Sequence, residues 1–313
     1  MMRVWRLKRP LWAVTVILIL IVISRHFKPK TVFKTSVLEW FKIENESKDP
    51  LLNLHQFAFS LSANVCARNP DILFFVHSST KSVELRNAAR KTWMTLTDSG
   101  NVSMATVFMV GMTTNVTVQK SVYSEASIYG DIVQGNFIDD YRNLTYKHIM
   151  AYDWILANCP NVKLITKLDH DVLVNVPYLI KFVNQNGYRQ DFLYCSVSKA
   201  PVVLRNPKMK WYVNESVYPF NVYPDHCAGR AYMISLDAAR RLHKASCYVR
   251  FYWIDDVYVT GILALKAGLA PQPFVKGHGY LAPIFVKPDI YQLLFIGVGS
   301  ARRAQRFWNY LQS

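Results

Sequence analysis

Residues 71–94 read DILFFVHSSTKSVELRNAARKTWM, and two different periods meet inside them. ILFFVHSS is a short apolar run rich in Phe and Val, the pattern of a strand buried on both faces. From Lys81 the apolar residues fall at helical intervals through KSVELRNAARKTWM, with Ser82 in the N-cap position. The unit is strand, loop, helix. The same alternation continues with ATVFMVGM (105–112), a helix around 118–127, the short strand DIVQGNF (131–137), a helix near 144–157 and the strand VKLITKLDHDVLVN (162–175). Such alternation predicts an α/β fold with a mostly parallel central sheet flanked by helices. FLYCSVS, AYMISL and helices near 236–245 and 255–266 prolong it, so one continuous domain over 69–313 is expected.

Composition supports a folded chain. Of 313 residues 51% are hydrophobic, and 18 Tyr, 17 Phe and 8 Trp against 12 Gly and 14 Pro exclude a collagen-like or low-complexity protein. The net charge of +16 owes +7 to residues 1–30, which contain no acid, leaving +9 on the other 283. Beyond that terminus no Lys/Arg block with interleaved aromatics occurs. A small anionic partner such as a nucleotide therefore fits better than nucleic acid.

Leu11–Ser24 (LWAVTVILILIVIS) is uncharged and bracketed by Arg9 and Arg25. Fourteen residues rise about 21 Å as a helix, so flanking residues must complete a span of roughly 30 Å. No small-x-small cleavage site follows, and the segment is expected to be an uncleaved signal-anchor rather than a signal peptide. It divides the chain into a tail (1–10), the transmembrane segment (11–24), an irregular polar stem (25–68) and the body (69–313). Sequons at Asn45, Asn101, Asn115, Asn143 and Asn214 suit a lumenal body, although Asn143 borders a helix start where its side chain is free to act as a cap. Five cysteines without CxxC spacing allow up to two disulfides, with pairing open.

Three groups carry candidate chemistry. Asp169-His170-Asp171 ends a strand, so its outer carboxylates form either a hard-oxygen site for Mn²⁺ or Mg²⁺ or a polar turn, with His170 facing away by alternation. Asp255-Asp256 opens a helical stretch after the aromatic run YVRFYWI, and serves either as a helix-start carboxylate pair or as the source of a general base. Arg86 and Arg90, four apart on one helix face, either reach a pyrophosphate or form a solvated cationic face. Trp211 in KMKWYVNES is a stacking platform or a core aromatic.

Taken together the chain resembles the beta-1,3-galactosyltransferase family, glycosyltransferase family 31, over 70–265. RNAARKTW (86–93) is similar to the family's R-x-A-I-R-x-T-W. EASIYGDIVQGNFIDDYRNLTYK (125–147) is similar to its long E-x(3)-Y-x-D-I block, and KLDHDVLVN to its K-x-D-D-D-V-F-V-N. YPDHCAGRAYMIS (223–235) and IDDVYVTG (254–261) follow in family order. The resemblance implies a GT-A fold behind a type II Golgi membrane anchor, and inverting transfer of a hexose, most often galactose, from a UDP-sugar to a glycan hydroxyl in a β1,3 linkage. N-acetylglucosamine or N-acetylgalactosamine transfer is the alternative, and an inactive glycan-binding homologue a further one. By position it implies Asp256 as catalytic base and Asp169 and Asp171 as Mn²⁺ ligands. It places Arg86, Arg90, Asp139 and Lys147 on the donor side, and Trp211 and Tyr212 at the acceptor. Asn45, Asn101, Asn115 and Asn214 are the expected glycan carriers. The chain departs from the pattern at Ala89, His170, His226, Arg230 and Ala231, and Arg230 beside a lost glycine bears on the choice of sugar.

Overall fold

The computed structural model describes residues 31–43, 57–99, 101–274, 280–281 and 290–312. The expected tail and membrane segment (1–24) and Asn45 lie outside these. Among the described residues no helix is long and apolar enough to cross a membrane. The chain divides into two units, Met1–Phe41 and Lys42–Ser313.

In the first unit residues 31–40 form a helix, α1, although the stretch 25–68 reads as irregular. Nothing between Thr31 and Trp40 breaks a helix, and the Thr35 and Ser36 hydroxyls donate to the carbonyls of Thr31 and Val32 one turn back. The second unit also begins earlier than the apolar pattern suggests. Strand β1 (Phe59–Leu61) pairs antiparallel with a later edge strand, and Cys66 is disulfide-bonded to Cys159.

The decisive stretch folds as read. Strand β2 (Ile72–His77) has every side chain buried, and helix α2 (Val83–Lys91) follows, with Ser82 at its N-cap position but contributing no side-chain cap bond. The short β3 (Asp98–Ser99) pairs back on β4 (Val102–Met112). Helix α3 (Val116–Tyr129) starts where Asn115 Oδ1 accepts from the Val118 amide and ends at Gly130, whose φ of 63° suits glycine. Then come β5 (Ile132–Ile138), α4 (Leu144–Asn158) and β6 (Leu164–Asp169). These give four parallel strands in the order β5-β4-β2-β6.

A two-residue turn leads from β6 to β7 (Val172–Val174) and on to α5 (Val176–Asn186), capped by Asn175. Strand β8 (Leu193–Ser198) and the long β9 (His226–Ser235) complete the main sheet, with β9 inserted antiparallel between β6 and β8 and tied to β8 by the Cys195–Cys227 disulfide. Helix α6 (Leu236–Ser246) is followed by the π-helical segment Val257–Leu263, α7 (Ala264–Ala267) and β10 (Gln272–Pro273), which joins β8 in parallel. Strands β11 (Tyr280–Leu281), β12 (Phe295–Gly297) and β7 form a second small sheet, and α8 (Ala301–Gln312) ends the described chain. One core cluster joins Phe74, Trp93, Phe108 and Leu168 of the main sheet side to Phe295 and Trp308. The architecture is mixed α/β with a largely parallel centre.

Chain order places the site. After β2 the chain moves outward to β4 and β5, then returns through α4 to put β6 on the other side of β2. The crossovers therefore diverge between β2 and β6, and a crevice opens beyond their carboxyl ends. His77 and Asp169, the last residues of the two strands, are register partners there.

Candidate active site

A cleft of about 680 Å³ opens at the carboxyl end of β6, and Asp169, Asp171, Asp255 and Asp256 all line it. Asp169 and Asp171 flank the β6–β7 turn with His170 between them. The His170 ring turns back, its Nδ1 lying 3.2 Å from the His77 carbonyl oxygen. Asp169 accepts from the Lys167 ammonium at 2.5 Å, and the same ammonium donates to the Gly229 carbonyl.

Asp255 and Asp256 enter from the start of the π-helical segment. Asp256 Oδ1 accepts from the Val257 amide at 2.8 Å, and Oδ2 lies beside Gly229, where a Cβ would approach to 3.1 Å. Burial and the neighbouring Asp255 charge push the Asp256 carboxyl up to about 6, against the opposing pull of His226 and Lys167. Burial also acts to raise Asp255, but the His148 hydrogen bond and Lys167 outweigh it and hold that group below its ordinary value. As an ionised carboxylate Asp255 only accepts, which makes His148 Nδ1–H the donor at 3.0 Å. Tyr232 then donates to His148 Nε2 at 2.5 Å and Tyr152 to Tyr232 at 2.5 Å. This buried chain aims Asp255 at the cleft.

The residues expected on the donor side behave differently. Arg86 is completely buried. Its Nε and Nη2 fork onto Glu125 at 2.7 and 2.6 Å, and Nη1 donates to Ser78 Oγ at 3.0 Å and the Ser79 carbonyl at 2.5 Å. Arg90 forks onto Asp131 at 2.8 Å through two nitrogens, reaches Glu125 at 2.8 Å and lies 3.9 Å over the Tyr129 ring. Lys147 pairs with Asp139 at 2.6 Å and with the Ser78 carbonyl at 2.5 Å, while Asp139 also accepts from the Thr80 amide at 2.9 Å. None of these four lines the cleft. Their charges are met by internal partners: Arg86, Asp139 and Lys147 hold the loop 78–80 at the end of β2, and Arg90 joins Arg86 on Glu125.

Trp211 does line the cleft, 47% exposed, with its indole N–H donated to the Tyr141 hydroxyl at 2.7 Å. Tyr212 is not among the lining residues, and its hydroxyl accepts from Asn214 Nδ2 at 3.3 Å. Among the sequons, Asn101, Asn115 and Asn214 are exposed. Asn143 does not cap α4; its amide donates instead to the Ile138 carbonyl at 2.9 Å. Cys247 lies outside both disulfides.

Sequence reasoning passed over Glu125, Asp131, Lys167, His148 and Tyr232. A charged residue inside an apolar strand, such as Lys167 within LITKL, was the available signal, because burying it demands a partner.

Comparison with known proteins shows the family. Residues 84–275 match the family described as Galactosyltransferase. Human beta-1,3-galactosyltransferase 1 is 31% identical over 225 residues, covering 70% of this chain and 68% of that one. Rat lactosylceramide 1,3-N-acetyl-beta-D-glucosaminyltransferase is 29% identical over 266 residues, covering 81% and 69%. Mouse xyloside xylosyltransferase 1 in its apo form aligns with 73% of this chain and 97% of its own at 12% identity, with a TM-score of 0.37, too low to carry an argument. The protein is a hexosyltransferase. The chain belongs to the galactosyltransferase family.

Proposed function

We propose that the protein is an inverting glycosyltransferase of GT-A type that moves galactose from UDP-galactose to a glycan hydroxyl, forming a β1,3 linkage on a glycoprotein or glycolipid. One observation carries the reading: Asp256, with its carboxyl pushed up to about 6, shares a single cleft with the Asp169/Asp171 pair. A base poised near neutrality and a hard-oxygen pair are the two groups the transfer requires. The sugar named in the rat relative keeps N-acetylglucosamine as the second donor.

The donor set fits Mn²⁺. Asp169 and Asp171 supply carboxylate oxygens from either end of a two-residue turn, with open cleft beside them for a diphosphate. When bound, the ion would neutralise charge on the departing UDP. The chain's own residues do the rest. Val257 occupies Asp256 Oδ1, leaving Oδ2 to take the proton of the acceptor hydroxyl as that oxygen attacks the anomeric carbon opposite UDP. A single displacement inverts the configuration. Trp211, held by Tyr141, offers a flat apolar face to an acceptor ring. Arg86, Asp139 and Lys147 support the donor side by holding loop 78–80, and Arg90 does so through the Glu125 it shares with Arg86.

Leu11–Ser24 would anchor the enzyme as a single-pass type II protein of the Golgi membrane, with the body lumenal and Asn45, Asn101, Asn115 and Asn214 carrying glycans. Exposed sequons and two disulfides support that compartment. The test is UDP release by the purified protein with Mn²⁺ and each of UDP-galactose, UDP-GlcNAc and UDP-GalNAc, with and without glycoside acceptors. EDTA-sensitive, acceptor-dependent release with UDP-galactose is expected. Release with UDP-GlcNAc alone would transfer the assignment to the second donor, and silence with all three would contradict it.

A further inference from the structure

His77 closes β2 at 4% exposure, and neither of its ring nitrogens has a hydrogen-bond partner. A buried polar atom left unpaired gives up its hydration with nothing in return, and an imidazole with both nitrogens unpaired does so twice. The atoms nearest to relieving it are a carboxylate and a second imidazole. His77 Nδ1 lies 3.8 Å from Asp255 Oδ2, beyond hydrogen-bond reach, and the His77 and His148 rings meet edge to face with centroids 4.8 Å apart. One ligand atom from each of His77, His148 and Asp255 falls within 4.8 Å of the other two.

We infer that His77, His148 and Asp255 form a second metal site, of the two-imidazole, one-carboxylate class that takes Zn²⁺, with its open position toward the cleft. Ligands at about 2.0–2.2 Å around a tetrahedral ion lie a little over 3 Å from one another, so a contraction of this cluster by less than the width of an atom completes it. The donor chemistry separates it from Asp169/Asp171: imidazole nitrogen suits zinc and its neighbours, whereas the all-carboxylate pair suits manganese or magnesium.

The surroundings meet the other requirements of a metal site. Tyr232, hydrogen-bonded to His148 Nε2 and itself held by Tyr152, is an outer partner that orients the ligating ring. Metal binding selects the tautomer with the proton on Nε2, where the Tyr232 oxygen accepts it. The two nearby ammonium groups are countered, Lys147 by Asp139 and Lys167 by Asp169. Asp255 lines the cleft and so gives the ion a route in.

The experiment uses the full chain purified in detergent, stripped with chelator, and titrated with Zn²⁺ by calorimetry and with Co²⁺ by visible absorption. The inference predicts one tetrahedral Co²⁺ equivalent, displaced by Zn²⁺, in the native protein and in Asp169→Asn/Asp171→Asn. It predicts loss of that equivalent in His77→Phe. Because the His77 side chain makes no hydrogen bond, phenylalanine keeps the ring and removes only the ligand; His77→Ala repeats the test with less bulk should the larger side chain not fit. Zn²⁺ should raise the thermal midpoint of the native protein and leave that of His77→Phe unmoved. Absence of a tetrahedral band, or the same band in His77→Phe, would overturn the site. None of these readouts involves sugar transfer, so failure here is distinct from failure of the proposed activity.

Discussion

Asp255 and Asp256 are neighbours in sequence whose carboxyl groups are driven in opposite directions. His148 and Lys167 hold the first ionised, and that fixed charge, with burial, pushes the second up to about 6. A carboxylate with an ordinary value near 4 is a feeble base at neutral pH, while one near 6 is stronger and still mostly ionised.

The pH profile follows. The base must be deprotonated to act, so kcat/KM is expected to rise through an apparent pKa of about 6 and level off above it. Asp255→Asn removes the neighbouring charge, lowers the Asp256 value and moves the acid limb to lower pH. An unmoved limb would detach it from this pair.

Gly229→Ala tests the space beside the base. The added Cβ would stand 3.1 Å from Asp256 Oδ2, so the carboxyl must give by a few tenths of an ångström. Since misplacement by 1 Å can cost about 100-fold, a several-fold fall in kcat is expected, with the unfolding midpoint nearly unchanged. Unchanged kcat would mean that Oδ2 is not the reacting atom.

Arg86→Ala separates clamp from ligand. It leaves Glu125 with only Arg90, and loss of one partner from a buried pair costs about 3 kcal/mol or more, read by urea unfolding. Arg86→Lys should recover only part, since an ammonium does not fork. The donor KM of the folded fraction should stay near native, whereas a large rise would restore direct donor contact.

Trp211→Ala should raise acceptor KM about tenfold, in line with a stacking loss of 0.5–1.5 kcal/mol plus buried area, and leave donor KM alone. Tyr212→Phe should change neither, because its hydroxyl meets Asn214 rather than the cleft.

Much of this was legible in the sequence, and particular residues show where legibility stops. The apolar runs at 72–77 and 105–112 announce parallel strands because both faces of each are covered, and the carboxylates at 169, 171 and 256 fall where chain ends face a crevice. AYMISL marks the second half of strand β9, but its antiparallel insertion between β6 and β8 depends on pairing with distant residues rather than on its own period. Periodicity placed Arg86 and Arg90 correctly on one helix face. What that face touches depends on Glu125 and Asp131, 35 to 41 residues away, and no local pattern encodes it. His77 read as one more residue of a strand, and only its unpaired nitrogens set it apart.

The central claim is that Asp256 is the base of a single displacement, and Asp256→Asn tests it most directly. A general base contributes about 10²–10⁴-fold, so turnover with UDP-galactose and acceptor should fall by that factor, while calorimetry with UDP and Mn²⁺ returns the native affinity. Turnover within a few-fold of native, with UDP bound as before, would contradict the account.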